Sequence, residues 1–127
     1  MSIFINADSK IIVQGMTGSE GTKHTRRMLA SGSQVVGGVT PGKGGQSVEI
    51  DGHNLPVFNT VGEAMAATGA NVSVVFVPPK FAKAAVVDAT DAAMPLVVVI
   101  TEGIPVHDSA SFYAYSLTKG TTRIIGP

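Results

Sequence analysis

Two short apolar runs break into glycines. Residues 11–21 read Ile-Ile-Val-Gln-Gly-Met-Thr-Gly-Ser-Glu-Gly, and residues 37–45 read Gly-Gly-Val-Thr-Pro-Gly-Lys-Gly-Gly. Each pattern suits a strand that ends in a loop whose backbone comes close to something. Glycine has no Cβ, so it reaches φ > 0 and leaves its N–H groups uncovered. Such loops commonly meet a polyanion such as a pyrophosphate, because the amides of a following helix N-terminus point at it. Two of them in one chain, one holding Lys43, point to a phosphate-bearing nucleotide.

The first loop has glycines at 15, 18 and 21, a G-x-x-G-x-x-G spacing rather than the G-x-G-x-x-G dinucleotide fingerprint. The motif is short, and its weight comes from lying after a strand and before a helix. Thr17 and Ser19 add hydroxyl donors. Gly18 is expected to need either φ > 0 or bare backbone beside the ligand. The bland alternative is a tight strand-to-helix turn with no ligand. A dinucleotide domain for NAD places a carboxylate near the end of its second strand to hold the ribose. Here that region is Gly37-Gly38-Val39-Thr40-Pro41-Gly42-Lys43, which offers a cation. Lys43 suits a phosphate on the ribose and favours coenzyme A or NADP over NAD; otherwise it is a solvated loop lysine.

The elements that must position these loops alternate. Lys10–Gln14 reads as a strand and Ser19–Ala30 as a helix, with Met28 and Leu29 on its apolar side and Lys23, Arg26 and Arg27 on its wet side. Strands follow at Gln34–Val39 and Val57–Phe58. Thr60 and Glu63 form a capping box that starts a helix over Val61–Thr68, ended by Gly69. Val72–Val77 reads as a strand covered on both faces. Pro79 opens a helix that includes Phe81–Ala93. Leu96–Ile100 is another buried strand, Pro105 starts a helix to Lys119, and Arg123–Ile125 is the last strand. Residues 46–56, with Asp51-Gly52 as a turn, read as a small exposed hairpin or loop. This alternation predicts α/β architecture: one Rossmann-like, doubly wound, mostly parallel sheet with helices on both faces, in a single domain.

The chain has 127 residues, enough for one core, and a formal net charge of zero. That balance argues against a nucleic-acid footprint and against a polybasic membrane surface. There is no cysteine, which excludes a disulfide, a thiolate zinc site and a thiol nucleophile. The longest apolar run, Met94 to Ile100, is far below the roughly 20 residues of a membrane span. With no signal-peptide pattern, the expectation is a soluble, cytoplasmic domain. His24, His53 and His107 lack metal-ligand spacing and read as partly exposed structural residues. Asp88 and Asp91 read as a solvated helix face. Met16, Met28, Met65 and Met94 read as packing residues, with Met16 also placed to touch a ligand. Phe112, Tyr113 and Tyr115 read as packing or capping for the last helix.

Longer motifs add a resemblance. Gln14-Gly15-Met16-Thr17-Gly18-Ser19, Val39-Thr40-Pro41-Gly42-Lys43-Gly44-Gly45, Pro56-Val57-Phe58-Asn59-Thr60, Ile100-Thr101-Glu102-Gly103-Ile104-Pro105 and Ile125-Gly126-Pro127 occur in order. With them the chain resembles, over essentially all of its length, the N-terminal CoA-binding domain of the succinyl-CoA synthetase (ADP/GDP-forming) α subunit family. The resemblance implies coenzyme A as ligand. It maps the family's phosphate loop to Thr17, Gly18, Ser19 and Glu20, where Glu20 replaces the usual glutamine. It maps the loop lysine to Lys43, with Val39 and Pro41 beside it. It places Val77 and Pro78 at a strand end lining the cleft, and Ile100, Thr101 and Glu102 at another.

The family joins a carboxylic acid to CoA using a nucleoside triphosphate, through a phosphohistidine in a second α-subunit domain and a nucleotide site in a β subunit. The resemblance therefore implies a β-subunit partner, no catalytic residue within residues 1–127, and a fragment that binds CoA without turnover. Rival readings are a malate- or citrate-type acid–CoA ligase, a stand-alone CoA or dinucleotide sensor, and an NAD(P) oxidoreductase fragment, which the missing ribose carboxylate disfavours.

Overall fold

The β-branched run after Lys10 forms the central strand, β1 (Ile11–Gln14), buried along its whole length. A computed structural model of the chain describes residues 9–100 and 122–125. After β1 come α1 (Ser19–Ala30), β2 (Val35–Val39), β3 (Ser47–Ile50), β4 (His53–Phe58), α2 (Val61–Thr68), β5 (Val72–Val75), α3 (Pro79–Asp91), β6 (Leu96–Val99) and β7 (Arg123–Ile125). The strands form one sheet in the order β3-β4-β2-β1-β5-β6-β7. Every pairing is parallel except β3 with β4. Without β3 this is the doubly wound order, in which the chain builds outward from β1 on one side and then on the other. The expected Rossmann-like architecture is the observed one.

Alternation along the strands divides the core into two layers. Ile11 and Val13 join Val35, Val57, Val72 and Val74 on one face, where Met28 and Leu29 of α1 pack. Ile12 joins Val39, Val75 and Val97 on the other, covered by Val61 and Ala64 of α2 and Val86 and Ala89 of α3. Helices on both faces explain why β5 and β6 are continuous apolar runs. No helix among the described residues is long and apolar enough to cross a membrane.

Several boundaries differ from the sequence reading: β1 starts at Ile11 rather than Lys10, β2 at Val35 rather than Gln34, and α3 ends at Asp91 rather than Ala93. β5 ends at Val75 rather than Val77, because the chain leaves the ladder ahead of the Pro78-Pro79 pair. β6 ends at Val99 rather than Ile100. The hairpin at residues 46–56 exists, with Asp51 at φ 49° and Gly52 at φ 84°, the geometry of a primed turn. It is not simply exposed, however. Its second arm absorbs Val57-Phe58 into β4 and pairs with β2, and Ile50 and Leu55 are buried in the core. The alternation of the two arms carries these residues onto the inner face. The helix expected from Pro105 to Lys119 lies outside the described residues, with His107, Phe112, Tyr113 and Tyr115.

The start of α2 is capped twice. Thr60 Oγ1 accepts from the Glu63 N–H at 3.2 Å. The Glu63 carboxylate accepts from the Asn59 N–H at 3.3 Å, one residue ahead of the expected partner. The Val61 N–H donates to Asp88 Oδ2 of α3 at 3.0 Å. Asp88 is therefore not on a solvated face: it is half-buried and ties two helices together. Burial pushes its carboxyl above the usual carboxylate value; the Val61 hydrogen bond opposes this, and the charges of Asp91 and Glu63 add to it.

A carboxyl that binds its proton more tightly folded than unfolded supports folding most at low pH, and that contribution fades as pH rises through the interval just above 3.8. Asp88→Asn keeps an acceptor for Val61 and removes the desolvated charge. It should melt at or above the parent temperature at pH 7, in thermal unfolding followed by circular dichroism. Asp88→Ala should lose about 1 kcal/mol, the usual worth of a helix cap.

Candidate functional site

The loops that follow β1, β2 and β5, with Ile100 just after β6, lie along one edge of the sheet, at the carboxyl ends of parallel strands. The strand order reverses between β1 and β5, so Gly15–Gly18 and Phe76–Pro78 flank the switch point. In open α/β sheets the ligand crevice opens there.

The three glycines of the first loop have different tasks. Gly15 turns the chain at φ 88°, its N–H donates to Val39 O at 2.9 Å, and a Cβ there would come within 3.0 Å of Val77. Gly21 lets α1 lie against that turn, since a Cβ on it would fall on the Gly15 carbonyl oxygen. Gly18 is the N-cap of α1, with φ −75° and ψ 163°. It does not need the left-handed region, and a Cβ would meet only the Gly15 oxygen at 3.5 Å, an ordinary contact. Its bareness is thus not a packing requirement. No side chain among the described residues caps α1, so its first amides, at the positive end of the helix dipole, have no side-chain acceptor there. Ser19 and Glu20 are exposed in that first turn.

Met16 takes no part in this edge. It is 0% exposed and fills the groove above Gly38, where a Cβ would lie 2.7 Å from the Met16 Cβ. The expectation that it could touch a ligand is corrected by that burial. With Met16 pointing down, Thr17 points across: its Oγ1 lies 3.0 Å from the Thr40 Oγ1 at the end of β2. This hydroxyl pair joins the two glycine loops.

In the second loop, the Lys43 N–H donates to Thr40 O at 3.0 Å and the Gln46 N–H to Lys43 O at 3.3 Å. Asn59 Oδ1 accepts from the N–H groups of both Gly42 and Gly44, each at 2.9 Å. Pro41 and Lys43 are exposed. Among the described residues the ion pair is Arg26 with Asp51 at 3.3 Å, away from this loop, and Lys43 has no carboxylate partner. Val39 is buried, so it reaches the edge through its backbone alone. Val77 packs against the core and beside Gly15, and Pro78 is the exposed N-cap of α3. Ile100 is 41% exposed, anchored by its N–H to Val75 O at 3.1 Å. Thr101 and Glu102 lie outside the described residues.

Sequence reasoning missed the polar support beneath this edge. Gln14, at the end of β1, is buried: its amide donates to Ala85 O of α3 at 2.7 Å and accepts from Ser73 Oγ of β5 at 2.6 Å. A lone amide closing an Ile-Ile-Val run was the available signal. Asn59, lying between a strand and a capping threonine, was another. His24 is half-buried and stacks on Phe76, with ring centroids 4.5 Å apart, and His53 is exposed at the start of β4. No group of three potential metal ligands occurs among the described residues.

Comparison with known proteins adds three findings. Residues 6–103 match the family model described as CoA binding domain. The chain is 51% identical over 128 residues to the "Succinate--CoA ligase [ADP-forming] subunit alpha" of Aquifex aeolicus, and 51% identical over 127 residues to the protein of that name from Staphylococcus epidermidis. All of this chain is covered but only 41% and 40% of those relatives, so it spans about two-fifths of their length. Among solved structures, the "dinucleotide forming Acetyl-coenzyme A synthetase 1" of Ca. Korarchaeum cryptofilum superposes with a TM-score of 0.73 at 23% identity, over 94% of this chain and 26% of that one. That likeness speaks for the fold.

The division of labour among the glycines is testable by stability alone. Gly21→Ala should lose about 1–3 kcal/mol, the scale of overpacking a tight contact. Gly18→Ala should lose less than about 1 kcal/mol, because the space is open and the change is only of an N-cap residue. Urea unfolding of the two variants distinguishes them, and equal losses would contradict the roles assigned to Gly18 and Gly21.

Proposed function

The chain belongs to the CoA-binding domain family, and from that premise we propose that it holds coenzyme A at the carboxyl edge of its sheet, as the CoA-binding part of an acid–CoA ligase α subunit. The observation that carries the reading is the Thr17–Thr40 hydroxyl pair at 3.0 Å, which sets both glycine loops beside one crevice. One loop offers helix amides to a pyrophosphate, and the other offers a cation beyond it.

In this reading Thr17, Gly18 and Ser19 receive the pyrophosphate on the uncapped start of α1. Glu20 suits the helix dipole there but repels phosphate, so its carboxylate turns toward solvent. Lys43 pairs with the phosphate on the ribose, a group that separates coenzyme A from NAD. Pro41 and the Val39 backbone shape the floor of that side. Val77, Pro78 and Ile100 line the opposite wall; Thr101 and Glu102, assigned to the same wall by the family resemblance, lie outside the described residues. A neutral chain captures a polyanion in this way by local geometry rather than by net charge.

The ligase itself is read from relatives that are longer than this chain. Succinate as the acid, an ADP-forming nucleotide reaction and a β-subunit partner follow from their names and from the motifs quoted above. A cytoplasmic setting goes with the same reading. The contribution of this domain is positioning: it holds the thiol carrier where an activated acyl group can meet it.

Calorimetric titration with CoA, dephospho-CoA, NAD and NADP tests the proposal. CoA should bind most tightly. Lys43→Ala should weaken CoA by about 1–3 kcal/mol, the scale of a charge-assisted hydrogen bond, and leave dephospho-CoA nearly unchanged. Unchanged CoA affinity in that variant would sink the lysine assignment, and tighter binding of NAD would sink the ligand.

A further inference from the structure

We infer that Asn59 is a positioning residue for Lys43, and that through it Asn59 sets the preference for a ligand bearing a phosphate on its ribose. The inference rests on the coenzyme A reading above. Asn59 need not touch the ligand.

A lysine on a free loop spreads its charge over many positions, and binding must then order both backbone and side chain. The loop around Lys43 is not free. The residues on either side of it, Gly42 and Gly44, both donate their N–H groups to Asn59 Oδ1, at 2.9 Å each. Two donors on one atom identify that atom as the amide oxygen. Asn59 is itself anchored, since its own N–H donates to Glu63 Oε1 at the foot of α2. A chain of contacts therefore runs from the cap of α2 to the tip of the second loop.

The loop is also cut to fit Asn59. A Cβ on Gly44 would lie 2.5 Å from Asn59 Nδ2 and 2.6 Å from Cγ, so the side-chain amide occupies that space. Gly42, at φ 86°, supplies a turn that other residues adopt only with strain. A neutral amide has a further merit here. A carboxylate in its place would hold the same two N–H groups but would set a negative charge beside Lys43, offsetting the cation that the ligand needs.

The test is calorimetric titration with CoA and dephospho-CoA of the parent chain, Asn59→Ala, Lys43→Ala and the double variant. Asn59→Ala should narrow the ratio of the two affinities by about 3- to 10-fold while leaving dephospho-CoA binding unchanged, and the double variant should lose no more than Lys43→Ala alone. Gly44→Ala, which expels the Asn59 amide from the other side, should narrow the ratio similarly. Asn59→Asp should keep the Gly42 and Gly44 amides protected from hydrogen exchange and yet narrow the ratio, a separation that a merely structural role would not produce. A parent-like ratio in Asn59→Ala, or losses that add in the double variant, would overturn the inference while the coenzyme A reading stands. A parent chain that binds CoA and dephospho-CoA equally would overturn the ribose-phosphate role of Lys43 and this inference together.

Discussion

The contact between the Gly15 turn and Gly21 of α1 is the constraint on which the site depends. A side chain at Gly21 would collide with the Gly15 carbonyl, so the helix begins as close to β1 as backbone allows. That closeness sends Met16 into the core above Gly38 and leaves Thr17 facing Thr40. It also brings the start of α1 next to the carboxyl end of the central strand. Rossmann-type loops use their glycines in this divided way, for turning, for approach and for helix packing. Here the spacing differs from the usual fingerprint, but the tasks are separable residue by residue.

A second layer of polar contacts keeps the edge in register. Gln14 links β1 to β5 through Ser73 and to α3 through Ala85, inside a mostly apolar core. Buried amides of this kind must be satisfied on all sides, which makes them selective about which arrangement they permit. Asp88 does comparable work between α2 and α3, at the expense of a partly desolvated charge. The arrangement sets rigid supports under loops whose own residues are exposed. Preorganisation of that sort reduces the ordering that a ligand must impose.

Much of this was legible in the residues. The order of strands and helices, the limits of α1, the capping threonine, the αL glycine after α2 and the Asp51-Gly52 turn follow from local chemistry, and they occur where that chemistry puts them. What escaped was long-range. Asp88 reads as a surface carboxylate until α2 is placed against α3. Met16 reads as a packing residue that could also reach a ligand; the packing holds, and it takes Gly38 to show that the side chain is wholly committed to the core. Ile50 and Leu55 read as part of an outlying hairpin until β4 joins β2. Asn59 stands out by its place between a strand and a capping threonine, but the two amides it holds cannot be named from there, because both lie more than a dozen residues away. For the site, the glycine loops and Lys43 were visible as types in a pattern, whereas the Thr17–Thr40 pair that joins them requires the fold.

The hairpin has an effect at the border of the sheet. An outermost strand presents a row of unpaired main-chain groups, and a long flat one is a template for another copy of the chain. In the strand order β3 takes the outermost place beside β4, so the longer β4 is paired on both sides. β3 itself is four residues long, with Ser47 and Glu49 exposed. Among the described residues the opposite border is β7, of three residues. Short terminal strands, one of them bearing a carboxylate, give a neighbouring copy little to zip onto. With a formal net charge of zero over these 127 residues, the short margins of the described sheet, rather than repulsion, are what disfavours stacking of copies.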